Sequence, residues 1–492
     1  MKIGILIILF YSQHTIAQLY NSNSVFGDSA GLAFEVDTTF HFNSAIKNEE
    51  AGASISDSTG NLLFYTNGQQ VWNKNHEVMP NGNDLEIGLV GDYASSETQG
   101  VIIVPKPENS NLYYIFQLQD HGPFGVKYSI VDINSAGGMG DVIAKNIILY
   151  DKDITEKMQV VKHGNGKDWW LILHAWPDFT ATTDSTFVFI TFLITSDLIL
   201  GPYKQAYGPN AIIPDIPYLG WGEMVISESG DKLAYTRQNK LDIYDFDRCN
   251  GLFGNWLEVT NLPILMHYGC SISPDGSKVY VSTVGDNSSY LYQFSLVDEN
   301  VDSSRQLIFE NTFNNYALGQ HELGPDGRIF IAMYYYGEFP NTYFTPKNQN
   351  LCVINNPNEI FPYCDFDTNT VSLGDRRVIG GLPNMPNYNL GSLTGSECDT
   401  IVSAINTIHL NNSLIISPNP ATDLINLSFN KLIHDAELVI YNVQGKIVQE
   451  INLQAPNQEI QIDIQNLNPG IYFVSVKNKG ELYAIEKFIK LL

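Results

Sequence analysis

Basic charge is scarce in this chain: 27 Lys and Arg stand against 53 Asp and Glu, a formal net charge of −26. Nucleic acid and anionic membranes both need a basic footprint, so neither is expected as a partner. Charged residues of either sign reach only 16%, and no long stretch repeats its apolar residues at helical spacing, so helices are not expected to build the fold. Long hydrophobic runs are absent too. The run ILIILFY (5–11) is too short to span a bilayer, and no later segment reaches that length. Cysteine is sparse and odd in number (Cys249, Cys270, Cys352, Cys364 and Cys398), so at least one is unpaired within the chain. None forms a CxxC or a Cys/His metal spacing. No G-x-S-x-G, H-E-x-x-H, P-loop or EF-hand loop occurs, so the motifs point to no catalytic residue, metal or cofactor.

What is present begins with residues 1–17. Lys2, the apolar run and Thr15-Ile16-Ala17 before Gln18 make up the pattern of a secretory signal peptide. In the oxidising compartment this implies, Cys352 and Cys364 are the nearest pair in sequence and the best disulfide candidates. Other pairings stay open. Cys270 lies mid-strand and reads as a small buried hydrophobe.

Apolar residues make up 44% and aromatics 12%, enough for packed cores, and they fall into a repeating unit. ISPDGSKVYVST (272–283), ISESGDKLAYTR (226–237) and LGPDGRIFIAMY (323–334) are each a strand, a polar turn and an alternating apolar strand. ISDSTGNLLFYT (55–66), VPKPENSNLYYIF (104–116) and VKHGNGKDWWLILH (161–174) are looser copies. Asp275-Gly276 and Asp326-Gly327 supply the left-handed backbone that a short hairpin requires. Single aspartates in such short turns cannot assemble a calcium shell, and Asx hydrogen bonding accounts for them. Hairpins recurring at roughly 45 to 65 residues are the signature of a β-propeller. Six units fill residues 50–375. Pairing the N-terminal strand region 24–45 with GLPNMPNYNL (381–390) gives a seventh, closing blade; six or eight blades also fit the spacing. The expected class is all-β, a propeller over 18–395, a small polar linker over 396–413 and a compact β-sandwich over 414–492.

In the terminal module, SPNPATD (417–423), VIYNVQGKIV (439–448), LNPGIYFVSV (467–476) and KFIKL (487–491) occur in order. With these motifs it resembles the type A C-terminal sorting domain of the type IX secretion system (Por secretion sorting domain) of Gram-negative bacteria. Pro418, Asn419, Pro420, Asp423, Gly445 and Gly470 occupy the matching positions. The resemblance implies Sec export to the periplasm, then recognition of the folded module by the type IX translocon. Removal by sortase-like machinery, and release or surface attachment, would follow. FGDSAGLAFEV (26–36), DFDRCNG (245–251) and CVINNPN (352–358) give the propeller portion a resemblance to YVTN/WD-type (WD40-like) propellers of secreted surface proteins, a group with no single chemistry.

One constellation is a candidate site. Residues just before the inner strands converge on one channel mouth, and these are Glu49, Glu50, Glu97, Glu223, His267, Gln320 and His321. Glu97, Glu223, His267 and His321 are the expected ligand-contacting set, read as an exposed polar ring. Trp221, Tyr218 and Tyr334-Tyr335-Tyr336 are candidate stacking surfaces. The leading reading is a secreted, non-enzymatic binder of protein or glycan. A polysaccharide hydrolase, lyase or lactonase using the acidic mouth, or a structural surface-layer protein, are the alternatives.

Overall fold

The computed structural model describes residues 19–35, 38–87, 89–90, 93–94, 96–119, 125–175, 186–210, 220–237, 239–263, 265–285, 288–311, 315–335, 343–399, 414–433, 436–442, 446–453, 455–468, 470–478 and 481–490. The expected signal peptide, Tyr218, Tyr336 and Gly445 lie outside them. The chain divides into two compact units, Met1–Val402 and Ser403–Leu492.

Why the hairpins form is visible in their turns. In the hairpin over 272–283, Asp275 Oδ1 accepts hydrogen bonds from Ser273 Oγ (2.7 Å) and the Ser277 N–H (2.9 Å), while Gly276 takes φ +73°. The following strand, Lys278–Val284, is buried at all but its first residue. Asp57 and Asp326 cap equivalent turns through the Thr59 and Arg328 N–H groups.

Among the described residues the first unit has seven antiparallel sheets of three or four strands, arranged as a ring of blades in chain order, and a two-stranded ribbon, Leu89–Val90 with Tyr93–Ala94. Blades 1 (23–47) and 2 (53–73) have three strands each. Blades 3 (101–150), 4 (154–210), 5 (224–259), 6 (266–311) and 7 (316–372) have four. The seven innermost strands are Asn23–Phe26, Ala53–Ser56, Val101–Pro105, Ile154–Lys162, Met224–Ile226, Met266–Ile272 and Tyr316–Leu323, and from the first to the seventh each touches the next in this order. The core lies between blades. Phe26, Ala30 and Leu32 of blade 1 pack on Phe330, Ala332, Leu351 and Val353 of blade 7, which closes the ring. On its other face Val25 and Ile46 meet Tyr65 and Trp72 of blade 2.

The closure differs from the one expected. Residues 23–47 form a blade by themselves, and 381–390 contribute no strand to it; one isolated bridge, Asp28 to Arg377, is the contact in register. Pro383 and Pro386 explain this, since each lacks the N–H that a ladder needs. The segment instead runs through the channel as a strap. Gly380 and Gly381 donate to the Glu49 carbonyl (2.9 and 3.1 Å), and Leu382 N–H donates to Gln320 Oε1 (2.7 Å). Asn384 donates from its backbone to the Gly52 carbonyl (2.8 Å) and from Nδ2 to the Met158 carbonyl (2.9 Å), and it accepts from Gln159 Nε2 (2.7 Å). The Tyr388 hydroxyl donates to the Ile103 carbonyl (2.8 Å), and Asn387 Nδ2 to the Glu228 carbonyl (3.0 Å).

Beyond the strap, Arg248 Nη2 donates to the Gly391 carbonyl (2.6 Å), and Cys398 forms a disulfide with Cys249. This corrects the expected Cys352–Cys364 pair. Both of those are buried free thiols, as is Cys270. Nearness in sequence did not decide the partner, because the strap carries Cys398 across 149 residues of sequence to blade 5. Residues 396–399, read from sequence as the start of a linker, are thereby held to the propeller.

The second unit is a sandwich. Leu414–Ser417, Leu424–Ile433 and Asn457–Asp463 form one sheet; Ile447–Leu453, Ala436–Asn442, Gly470–Asn478 and Glu481–Lys490 form the other. Alternation in the strands turns Ile425, Leu427, Phe429, Leu438, Ile440, Val474, Val476 and Phe488 into its core. Asn419 of the SPNP motif ties down the last strand: its Nδ2 donates to the Lys487 carbonyl (3.0 Å) and its Oδ1 accepts from the Ile489 N–H (2.9 Å).

The strap passes so close to Glu50 that a Cβ at Gly381 would overlap that residue's backbone. Gly381→Ala is therefore expected to destabilise the propeller by about 1–3 kcal/mol, as overpacking does. A denaturant titration showing an unchanged midpoint would contradict the strap's tight seat.

Candidate functional site

The residues expected at the channel mouth as an exposed ring are interior. Glu97, Glu223, His267 and His321 are all buried, as is Glu49. Glu223 links three blades: its Oε2 accepts from the Cys270 N–H (2.8 Å) and the His321 N–H (3.0 Å). Glu156 Oε2 accepts from the Thr98 N–H (3.1 Å) and Oγ1 (2.9 Å). Gln99 exchanges two hydrogen bonds with the Met224 backbone, and Gln320 Nε2 donates to the Thr98 carbonyl. Lys157, fully buried, donates to the carbonyls of Gly220 and Trp221. The ring of polar side chains thus serves as mortar between blades.

The four expected residues separate into two pairs. Glu223 and His321 line a cavity of about 80 Å3 left between the strap and blades 4 to 7, together with Ser271, Glu322, Gln159 and Asn384. Glu97 and His267 do not line it; a ring nitrogen of His267 (Nε2) lies 3.2 Å from the carbonyl of Pro263 in its own approach loop. Within the cavity, His321 Nδ1 lies 3.0 Å from Ser271 Oγ, and Nε2 has no hydrogen-bond partner among the described residues.

Burial sets the charge of these groups. It raises Glu223 to about 8, against the lowering effect of the His321 and Cys270 N–H groups. Burial, then the neighbouring Glu156, hold Glu50 well above the carboxylate range; burial and Glu223 do the same to Glu322. Burial also lowers His321 to about 3 and His267 to about 4. Near neutral pH the cavity therefore presents protonated carboxylic acids and neutral imidazole. A histidine this weakly basic is a poor general base for Ser271. Among the described residues, no three His, Cys, Asp or Glu side chains converge on a metal-ion position. A cavity of this size accommodates ordered water, whereas small-molecule pockets typically span about 300–1,000 Å3.

Sequence reasoning missed Glu156, Lys157 and Glu322. The available signal was a charged pair inside the apolar run ITEKMQVVK, whose first eight residues are all buried. Of the aromatics singled out, Trp221, Tyr334 and Tyr335 are half-buried. Tyr335 has Tyr316 (5.5 Å between ring centroids) and Tyr343 (5.1 Å) for neighbours.

Residues 416–491 match the family model described as the secretion system C-terminal sorting domain. The second unit is thus a type IX sorting domain, which directs export to the cell surface or the medium. No helix among the described residues is long and apolar enough to cross a membrane. No curated protein matches the chain. Among solved structures, a putative 6-phosphogluconolactonase from Bacteroides fragilis is similar at 10% identity and TM-score 0.44, over 75% of this chain and 98% of that one. A protein from Lactobacillus plantarum is similar at 12% identity and TM-score 0.41, over 74% and 98%. The periplasmic gluconolactonase of Pseudomonas aeruginosa gives 10% identity and TM-score 0.34, over 80% and 94%.

The buried groups make stability depend on pH from two sides. Glu223, raised from 4.5 to about 8, contributes stability that is complete below pH 4.5 and lost as pH rises through 8. His321, lowered from 6.5 to about 3, contributes stability that is complete above pH 6.5 and lost as pH falls through 3. The melting temperature should therefore peak between about pH 4.5 and 6.5. Glu223→Gln should flatten the alkaline limb, an effect on the order of 5 kcal/mol at pH 8.5. Scanning calorimetry from pH 4 to 9 on both proteins measures this, and parallel profiles would refute it.

Proposed function

We propose that this protein is a secreted, non-catalytic binding module whose partner, a protein or a glycan, meets the outer surface of the propeller and not its channel. In this reading residues 1–17 are the signal peptide, 18–395 do the work, 396–413 are the linker and 414–492 are the address that the type IX translocon and its sortase-like machinery handle. The observation that carries it is the strap: residues 377–391 occupy the channel and leave about 80 Å3 beside Glu223 and His321. Because Glu97, Glu223, His267 and His321 are buried between blades, replacing them tests the fold more than any ligand contact.

An aromatic cluster supports an outward-facing function. Tyr343 and Phe344 are about half exposed, Tyr335 neighbours both Tyr316 and Tyr343, and Asn315 Nδ2 donates to the Tyr335 hydroxyl (3.2 Å). Exposed rings edged by hydrogen-bonding groups suit sugar faces or protein side chains.

The test is a glycan array and a surface-protein pull-down with the full chain. Tyr343→Ala should lower affinity for any captured ligand at least tenfold and leave the melting temperature unchanged. Turnover of a polysaccharide or lactone that Glu223→Gln abolishes without loss of folding would instead establish the enzymatic reading. For export, residues 391–492 fused to a folded reporter should carry it to the surface or medium of a host that has the translocon. Asn419→Ala, which removes both ties to the last strand, should destabilise the sandwich by about 1–2 kcal/mol and retain the fusion in the periplasm. Equal export of both fusions would show that the SPNP tie is dispensable.

A further inference from the structure

The strap and the disulfide have a mechanical relation to the tail that neither the fold nor the binding reading explains. The strap enters the channel at Arg377, crosses the inner strands and leaves beside blade 5. Cys398 is one residue from the last described residue before the sorting domain, and its partner Cys249 lies on blade 5, between the strands Lys240–Asp247 and Leu252–Val259. The site is braced: Arg248 donates to the Lys162 carbonyl (2.8 Å) and the Gly391 carbonyl, and Trp170 Nε1 donates to the Arg248 carbonyl (2.8 Å). Leu393 N–H donates to the Gly164 carbonyl (2.8 Å), so blade 4 is joined in as well.

We propose that the Cys249–Cys398 disulfide is a latch that carries tension from the tail and isolates the strap from it. Export acts through the sorting domain, so any pull reaches the propeller at residue 399. With the latch closed, the covalent path runs from Cys398 straight into blade 5, and the strap, blade 6, blade 7 and the seam with blade 1 lie outside it. With the latch open, the same pull is applied to residues 377–398 and draws the strap from the channel. That withdrawal would unpair the Gly52, Ile103 and Met158 carbonyls. The bond itself forms when the two thiols give up two electrons and two protons to a disulfide-carrying oxidant of the export compartment. The inference rests on the export route and is independent of what the propeller binds.

Single-molecule pulling on the full chain, held by its two ends, tests it. Oxidised protein should show no strap-release step, and its final extension should fall short by roughly 500 Å, because the chain between the cysteines, a sequence separation of 149, stays in a closed loop. Cys249→Ser/Cys398→Ser should restore that length. It should also add an early, low-force step of about 75 Å, the contour length of residues 377–398. Wild-type protein reduced by a dithiol, with Cys249 and Cys398 shown to be alkylated, should behave as the double variant and serves if the variant folds poorly. Events arising at the N-terminal end are common to all samples. An early step with the disulfide intact, or its absence when the disulfide is open, would overturn the latch.

Discussion

Each innermost strand of the ring pairs with a neighbour on one edge and turns its other edge to the channel, where it presents a row of peptide groups without ladder partners. Everything else about the propeller's interior follows from how those groups are satisfied. The chain answers with its own residues. The strap's N–H groups and its Asn384 and Tyr388 side chains reach the carbonyls of Glu49, Gly52, Ile103 and Met158. Gln99, Gln320 and Glu223 bridge the remaining blade-to-blade gaps. A segment with two prolines suits this task, because it needs to hydrogen-bond sideways at selected positions and never to form a ladder.

The same solution fixes the charge state of the interior. Carboxyl groups that bridge blades are removed from water, and their protonated form costs less there than a buried anion. A channel mouth lined with Glu and His resembles an acid–base site when written as a list of residues. Once filled by the strap, it becomes a buried hydrogen-bonded layer in which Glu223 and Glu322 are held protonated near neutral pH. The proposed binding is then left to the outer surface, where Tyr343 and Phe344 reach solvent, and export to the sorting domain.

The strap also joins the propeller's architecture to its export. It is the last part of the first unit before the sorting domain, and the Cys249–Cys398 bond holds its far end to blade 5. A ring whose closing seam between blades 7 and 1 is made by apolar packing, with the Arg328 guanidinium donating to Thr39 Oγ1 (2.8 Å), gains a spoke across its centre. The spoke is anchored on the side of the ring away from that seam.

Much of this was legible from residues alone. Period-two alternation and Asp-Gly turns specify the hairpins because both act over a few residues, and their recurrence implies a propeller. The motifs SPNPATD and LNPGIYFVSV identify the sorting domain by residue identity and order, although Asn419 of the first acts on the last strand, far along the chain. What the tertiary structure decided is everything that depends on contacts between distant segments. Residues 23–47 became a complete blade, and 381–390 became a strap. Cys398 chose Cys249 over nearer thiols, and Glu223 became a buried acid bridging Cys270 and His321. Alternation reports which face of a strand is apolar; it carries no information about what fills a channel bounded by seven of them. That was settled by where the folded ring left unpaired peptide groups, and by which part of the same chain could reach them.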